Sequence, residues 1–145
     1  MKTTSAAHFE STEVGETLPE LQKTVTVAQI RAYAEASGDR NPIHLDDAFA
    51  RSVGLPGVIA HGMLTMAFAN QMLTDWLGDS GRLARLEGRF GGMVLPGDQV
   101  TCSGKVVKKD PASRRVQVEL TVTNQRGERV LNKALAEAEF PRVKE

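Results

Sequence analysis

Read for its alternation of apolar and polar positions, the chain divides into a helical first half and a stranded second half. Leu21, Val25 and Val27 suggest a short strand within residues 18–27. Thr26 then suits a helix N-cap, because its hydroxyl can accept an N–H of the first turn. Ile30, Tyr33 and Ala34 follow at i, i+3 and i+4, one face of a helix over 27–36. Ser37-Gly38 ends it, since glycine takes the left-handed conformation beyond a helix at little cost. A loop over 38–44 follows. Asp46 or Asp47 can cap a short helix carrying Ala48, Phe49, Ala50 and Val53, and Gly54-Leu55-Pro56-Gly57 closes it.

Residues 61–77 are the most apolar stretch. Apolar side chains occur nearly all around it, which predicts a helix roughly 25 Å long, buried on most sides. Met63, Met66 and Met72 read as core. Everything after Gly81 reads as strand: 82–94, 99–108, the alternating Val116, Val118, Leu120 and Val122, and 130–140 with Ala134, Ala136, Ala138 and Phe140 on one face. Asp110-Pro111 and Arg126-Gly127 supply turns. Helices followed by an antiparallel run predict an α+β fold. The pattern suggests, without forcing it, a long helix wrapped by the sheet, the hot-dog arrangement.

Length then bounds this to one domain over 1–145, with a polar leader at 1–12 expected to be mobile. Eighteen basic residues balance eighteen acidic ones, so no net field favours nucleic acid or an anionic membrane. No run reaches the roughly 18 apolar residues of a membrane span, and no secretory signal is evident. One basic cluster stands out: Lys105, Lys108, Lys109, Arg114 and Arg115 around a turn. It reads first as a solvated hairpin end and second as a phosphate-binding patch. Cys102 is the only cysteine, which excludes an internal disulfide and fits a reducing compartment. Its strand-like setting makes it a packing residue, and the expected address is the cytoplasm.

Two clusters carry candidate chemistry. Asp39 and His44 lie five residues apart on a loop entered by Gly38. Pro42 fixes its own φ and pushes Asn41 into an extended conformation, so the loop is stiff. A carboxylate and an imidazole held there can converge on one water, and imidazole exchanges protons near neutrality. The same letters also spell an ordinary turn, since Asp and Asn side chains bond nearby backbone. The second cluster, Ala60-His61-Gly62-Met63, opens the apolar helix. Its free N–H groups and partial positive charge make an oxyanion hole for a carbonyl that gains negative charge. The alternative is that Gly62 only eases packing and His61 only caps the helix. His8 falls in the leader, three histidines without cysteine partners give no metal site, and neither a phosphate loop nor a G-x-S-x-G elbow is present.

Tyr33, Ala36-Ser37-Gly38-Asp39-Arg40-Asn41-Pro42-Ile43-His44 and Ala60-His61-Gly62-Met63 together resemble the MaoC-like family of (R)-specific enoyl-thioester hydratases and 3-hydroxyacyl-thioester dehydratases. The likeness is greatest to single hot-dog members, including mycobacterial hydroxyacyl-carrier-protein dehydratase subunits. The resemblance implies a hot-dog fold and reversible hydration of trans-2-enoyl thioesters to (3R)-hydroxyacyl thioesters. It implies Asp39 and His44 as the water-activating dyad, Gly62 as the oxyanion donor, and Asn41 and Pro42 as loop support. His61, Met63 and Asn70 are candidates for the substrate pocket; Asn70 departs from the Ser that several members carry near the dyad. No cofactor is implied. The expected partners are an acyl-CoA or acyl-carrier-protein substrate and a second copy of the chain, or a related hot-dog subunit in a heterodimer. Two rivals are a hot-dog thioesterase and a non-catalytic acyl-thioester-binding subunit.

Overall fold

The computed structural model describes residues 7–142. Its elements are β1 (Leu21–Thr24), α1 (Val27–Ser37), a 3-10 turn (Pro42–His44), α2 (Asp47–Ser52), α3 (Gly62–Leu77), β2 (Arg82–Phe90), β3 (Gln99–Asp110), β4 (Arg115–Thr123) and β5 (Arg129–Glu139). The five strands make one antiparallel sheet in the order β1-β3-β4-β5-β2. Alternation puts Val100, Cys102, Val106, Val116, Val118, Val122, Ala134, Ala136 and Ala138 on the buried face. Register shifts between β2 and β5 at Leu83/Arg85 and Glu87/Arg89 bend the sheet, as bulges do. The curved sheet wraps α3, giving the hot-dog arrangement.

α3 lies on the sheet through Leu64, Phe68, Ala69, Met72, Leu73 and Leu77. Each large side chain so buried contributes about 1.5–3 kcal/mol. The helix is not buried on most sides, contrary to expectation. Met63, Ala67, Asn70 and Thr74 line an exposed stripe, and Met63 is 54% exposed. Of the three methionines expected in the core, only Met72 is fully there; Met66 is half-buried. The sheet covers one side of the helix, and composition alone does not reveal which side.

Local signals place the flanking elements well. The Thr26 side chain accepts the Gln29 N–H at 3.1 Å, and Gly38, at φ 78°, ends α1 with its N–H on the Ala34 carbonyl. Asp46, rather than Asp47, caps α2. Asp47 instead accepts the Val58 N–H at 2.8 Å, tying α2 to the approach to α3. Only Ala50 of the short helix is buried; Phe49 and Val53 face outward. β2 stops at Phe90 rather than at 94. Gly91 and Gly92 still donate to the Val130 and Arg129 carbonyls, and a side chain at Gly91 would collide with the Arg129 carbonyl.

The expected leader is a packed strap over residues 7–12, with 1–6 outside the described residues. Ala7 N–H donates to the Trp76 carbonyl at 3.0 Å, and Phe9 packs beside Phe140 at 6.0 Å between ring centres. Lys109 and Arg114 sit over the Phe9 ring at 4.5 and 4.8 Å. Arg114 also pairs with Glu10, and Arg115 with Glu137 and Glu139. Three of the five clustered cations therefore hold the strap or the sheet. Cys102 is fully buried, and burial pushes its thiol up to about 12, consistent with packing.

Candidate active site

Consecutive side-chain-to-backbone bonds build the loop after α1. Asp39 N–H donates to Ser37 Oγ at 3.1 Å, Asn41 N–H to Asp39 Oδ1 at 3.3 Å, and Ile43 N–H to Asn41 Oδ1 at 3.2 Å. Pro42 opens the 3-10 turn, where its fixed φ fits and its missing N–H is not needed. The turn carries His44 inward to 8% exposure. The turn-forming role of Asp39 is thus realised, and it uses only one carboxylate oxygen. The other, Oδ2, lies 4.0 Å from His44 Nε2.

His44 Nδ1 lies 2.7 Å from the Ile59 carbonyl. A carbonyl only accepts, so Nδ1 carries a hydrogen, and in the neutral ring Nε2 presents a lone pair toward Asp39. The 4.0 Å gap is too long for a direct hydrogen bond and fits one bridging water. Two bonds of about 2.8 Å across that gap meet at roughly 90°, within a water's reach. The backbone is stitched around this point: Ile59 N–H donates to the Ile43 carbonyl and Ala60 N–H to the Val94 carbonyl.

His61 does not cap α3; its side chain makes no capping bond. Its Nε2 lies 2.9 Å from the Asp39 backbone carbonyl, and its ring stacks on His44 with 3.8 Å between centres and 23° between planes. Tyr33 also packs against His61, at 4.8 Å. His61 is 2% exposed, and its buried Nδ1 has no hydrogen-bond partner among the described residues. Donor atoms of Asp39, His44 and His61 fall within 4.8 Å of one another. Chelation needs lone pairs pointed at one centre. Near-parallel stacked rings do not converge that way, and one His61 nitrogen is engaged by a carbonyl. The set suits acid–base work better than a cation.

A cleft of about 420 Å³ opens here, lined by Tyr33, Ser37, Asp39, His61, Gly62, Met63 and Phe90. α3 supplies no acceptor for the N–H groups of its first residues, Gly62 and Met63. Gly62 faces the cleft closely packed: an added Cβ would lie 2.9 Å from two ring atoms of Phe90.

A family model described as MaoC like domain matches residues 9–127. The chain belongs to the MaoC-like family. A 3-hydroxybutyryl-CoA dehydratase of Methylorubrum extorquens is 33% identical over 115 residues, 79% of this chain and 73% of that protein. Among solved structures, an (R)-hydratase of Pseudomonas aeruginosa superposes with TM-score 0.85 at 31% identity, covering 94% of this chain and 86% of the other. A chain of the ChsH1–ChsH2 complex of Mycobacterium tuberculosis superposes with TM-score 0.81 at 26% identity, covering 90% and 99%. Fatty acid synthase subunit beta of Aspergillus oryzae also matches, at 43% over 93 residues or 57% of this chain, but the match spans only 4% of that protein's length.

Within this MaoC-like domain, the structure brings Asp39, His44, His61, Gly62 and Met63 together, with Asn41 and Pro42 supporting the loop. His44 is not among the residues lining the cleft; its Nε2 faces Oδ2 of Asp39, which is. Asn70 does not join them. It sits on the exposed stripe of α3, about 12 Å beyond Gly62 along the helix axis. The sequence assigns no site role to the Ser37 side chain, Phe90 or the Ile59 carbonyl. Ser37 stands in the Ser-Gly-Asp string. Phe90 comes to the site from a distant segment, and Ile59, although it directly precedes Ala60-His61, shows its role only where its carbonyl meets His44 Nδ1.

Proposed function

We propose that this chain catalyses reversible hydration of trans-2-enoyl thioesters to (3R)-hydroxyacyl thioesters. The observation that carries the reading is the 4.0 Å gap between Asp39 Oδ2 and His44 Nε2, opening beside the start of α3. A water held between them gives one hydrogen to each. The thioester carbonyl takes the Gly62 N–H, so charge developing on its oxygen meets a donor and the positive end of α3. The water oxygen bonds to C3 as Nε2 takes its proton, and that proton then reaches C2. Elimination runs the same steps backward. The names of the dehydratase and hydratase relatives agree with this chemistry and favour it over thioester hydrolysis, and the paired polar groups favour it over passive binding.

The acyl group is carried by coenzyme A or an acyl carrier protein. The basic cluster is largely committed to internal partners, which removes it as an argument for either. The working unit is a homodimer. β2 is a nine-residue edge, and edges of that length pair readily. Apolar Met63, Phe90 and Met93 stand exposed. A heterodimer with a related hot-dog subunit is the second reading, favoured by the likeness to one chain of a two-component complex. Among the described residues no helix is long and apolar enough to cross a membrane, and the lone thiol of Cys102 suits a cytoplasmic setting. We read the domain as extending past residue 127, because β5 sits between β4 and β2.

The test is loss of enoyl absorbance with crotonyl-CoA and longer enoyl-CoAs, with carrier-protein thioesters in parallel and sizing of the sole expressed chain. Thiol release from a saturated acyl-CoA without hydration would overturn the reading in favour of a thioesterase.

A further inference from the structure

The dyad rests on a second histidine. We infer that His61 is a positioning residue for the proposed hydration: it pins the backbone of Asp39 and backs the ring of His44, without exchanging protons with substrate. The inference rests on the hydratase reading for its kinetic consequences and on geometry for its basis.

Three observations carry it. His61 Nε2 donates to the Asp39 carbonyl across 22 residues of sequence at 2.9 Å, joining the start of α3 to the loop that bears the carboxylate. Its ring lies flat against His44 at 3.8 Å, while the Ile59 carbonyl holds the opposite nitrogen of His44. His44 is therefore fixed by one bond in its plane and one face against a ring. Tyr33 also packs against His61, at 4.8 Å between ring centres, so the support is itself supported.

The same geometry excludes His61 as a proton carrier. Its Nε2–H is taken by a backbone carbonyl, and its Nδ1 is buried without a partner among the described residues. A second hydrogen on Nδ1 would be a buried donor with nothing to receive it. The neutral ring carries its hydrogen on Nε2. His44 is its mirror, with hydrogen on Nδ1 and the lone pair on Nε2. Two stacked imidazoles in opposite tautomers are the signature of this arrangement.

Two measurements test it. Long-range proton–nitrogen NMR spectra of histidine-labelled protein at neutral pH should show His61 as the Nε2–H tautomer and His44 as the Nδ1–H tautomer. An Nδ1–H tautomer at His61 would overturn the inference, whether or not any thioester is hydrated. Kinetics on crotonyl-CoA then separate positioning from general damage. His61→Phe keeps a flat ring but loses the donor; kcat should fall about 10²-fold, as for a small misplacement of reacting groups, with KM changed less than about threefold. His61→Gln keeps a donor of similar reach and should recover to within about tenfold of wild type. His61→Asn, one methylene shorter, should fall with His61→Phe and serves if the latter does not fold. Equal losses in Gln, Asn and Phe, a loss confined to KM, or wild-type rates in His61→Phe would each overturn it. A wild-type protein inert toward every enoyl thioester would sink the hydratase reading instead, and the tautomer pair would still decide the placement of His61.

Discussion

Two aspartates of this chain meet opposite treatment. Asp98 is 4% exposed, and both its oxygens are saturated. Oδ1 accepts from Gln125 Nε2 and Arg126 Nη1, and Oδ2 from Leu95 N–H and Arg126 Nη2, all at 2.8–2.9 Å. The Arg126 hydrogen bonds hold its carboxyl down at about 2. Asp39 spends Oδ1 on a turn and leaves Oδ2 facing a 4.0 Å gap and a histidine lone pair. A saturated carboxylate has no capacity left for a ligand and serves the fold, here by tying the 124–128 turn to the segment before β3. An unsaturated one on a rigid loop holds capacity in reserve, which a water or substrate can use. The contrast teaches that the two roles are separable by counting acceptors, since both residues are charged and both belong to polar clusters.

The sharpest way to break the contrast is to remove reserve capacity at the dyad. Asp39→Asn keeps the turn-forming oxygen and loses the charge; His44→Ala loses the lone pair. Each should lower kcat/KM for crotonyl-CoA hydration about 10³-fold, equivalent to about 4 kcal/mol. The thermal midpoint of Asp39→Asn should stay close to wild type, since its side chain is 55% exposed. Wild-type rates in both variants would end the hydratase reading.

Asp98 should show the converse. Asp98→Ala strands the Arg126 fork and should cost about 2–3 kcal/mol in urea unfolding, below the range for fully buried pairs because Arg126 is partly exposed. The rate per folded molecule should barely move. The sign of its pH dependence follows from the lowered carboxyl. The contribution is complete above the ordinary value of 3.8 and is lost as pH falls through about 2. Wild type should therefore lose its advantage over Asp98→Asn between those values; parallel stability curves would show that the fork contributes nothing.

Gly62→Ala tests the oxyanion donor. The methyl must displace the Phe90 ring, so hydration should fall about tenfold to a hundredfold, equivalent to about 1.4–2.8 kcal/mol. Adding Phe90→Ala should restore part of it; no recovery would point to the N–H rather than the ring as the casualty. The smallest effect is expected at Asn41→Ala, which removes the cap of the 3-10 turn at a cost of about 1 kcal/mol, read as a lower urea midpoint with kcat reduced by less than the dyad variants.

Much of the site was legible because it is built locally. Thr26, Gly38, Asp39, Asn41 and Pro42 act on partners within a few residues, so their letters carry their geometry. The alternating valines of β4 and the alanines of β5 likewise declared their buried face. Asp98 and Arg126, 28 residues apart, escaped notice because nothing in either neighbourhood encodes the other. The strap over 7–12 escaped for a related reason: a single Phe9 among polar residues reveals its burial only once Phe140 and the Lys109 and Arg114 side chains are placed.

The sequence by itself determined the helix boundaries, the turn that presents Asp39, the α+β class and the family resemblance, since these depend on local conformational preference and short spacing. Tertiary structure alone decided the strand order, which side of α3 meets the sheet, and the exclusion of Asn70 from the cleft. It alone aimed His61 at the carbonyl of Asp39 rather than at its own helix end. Those outcomes depend on long-range packing of α3 against a curved sheet, where a residue's direction is set by partners far away in the chain.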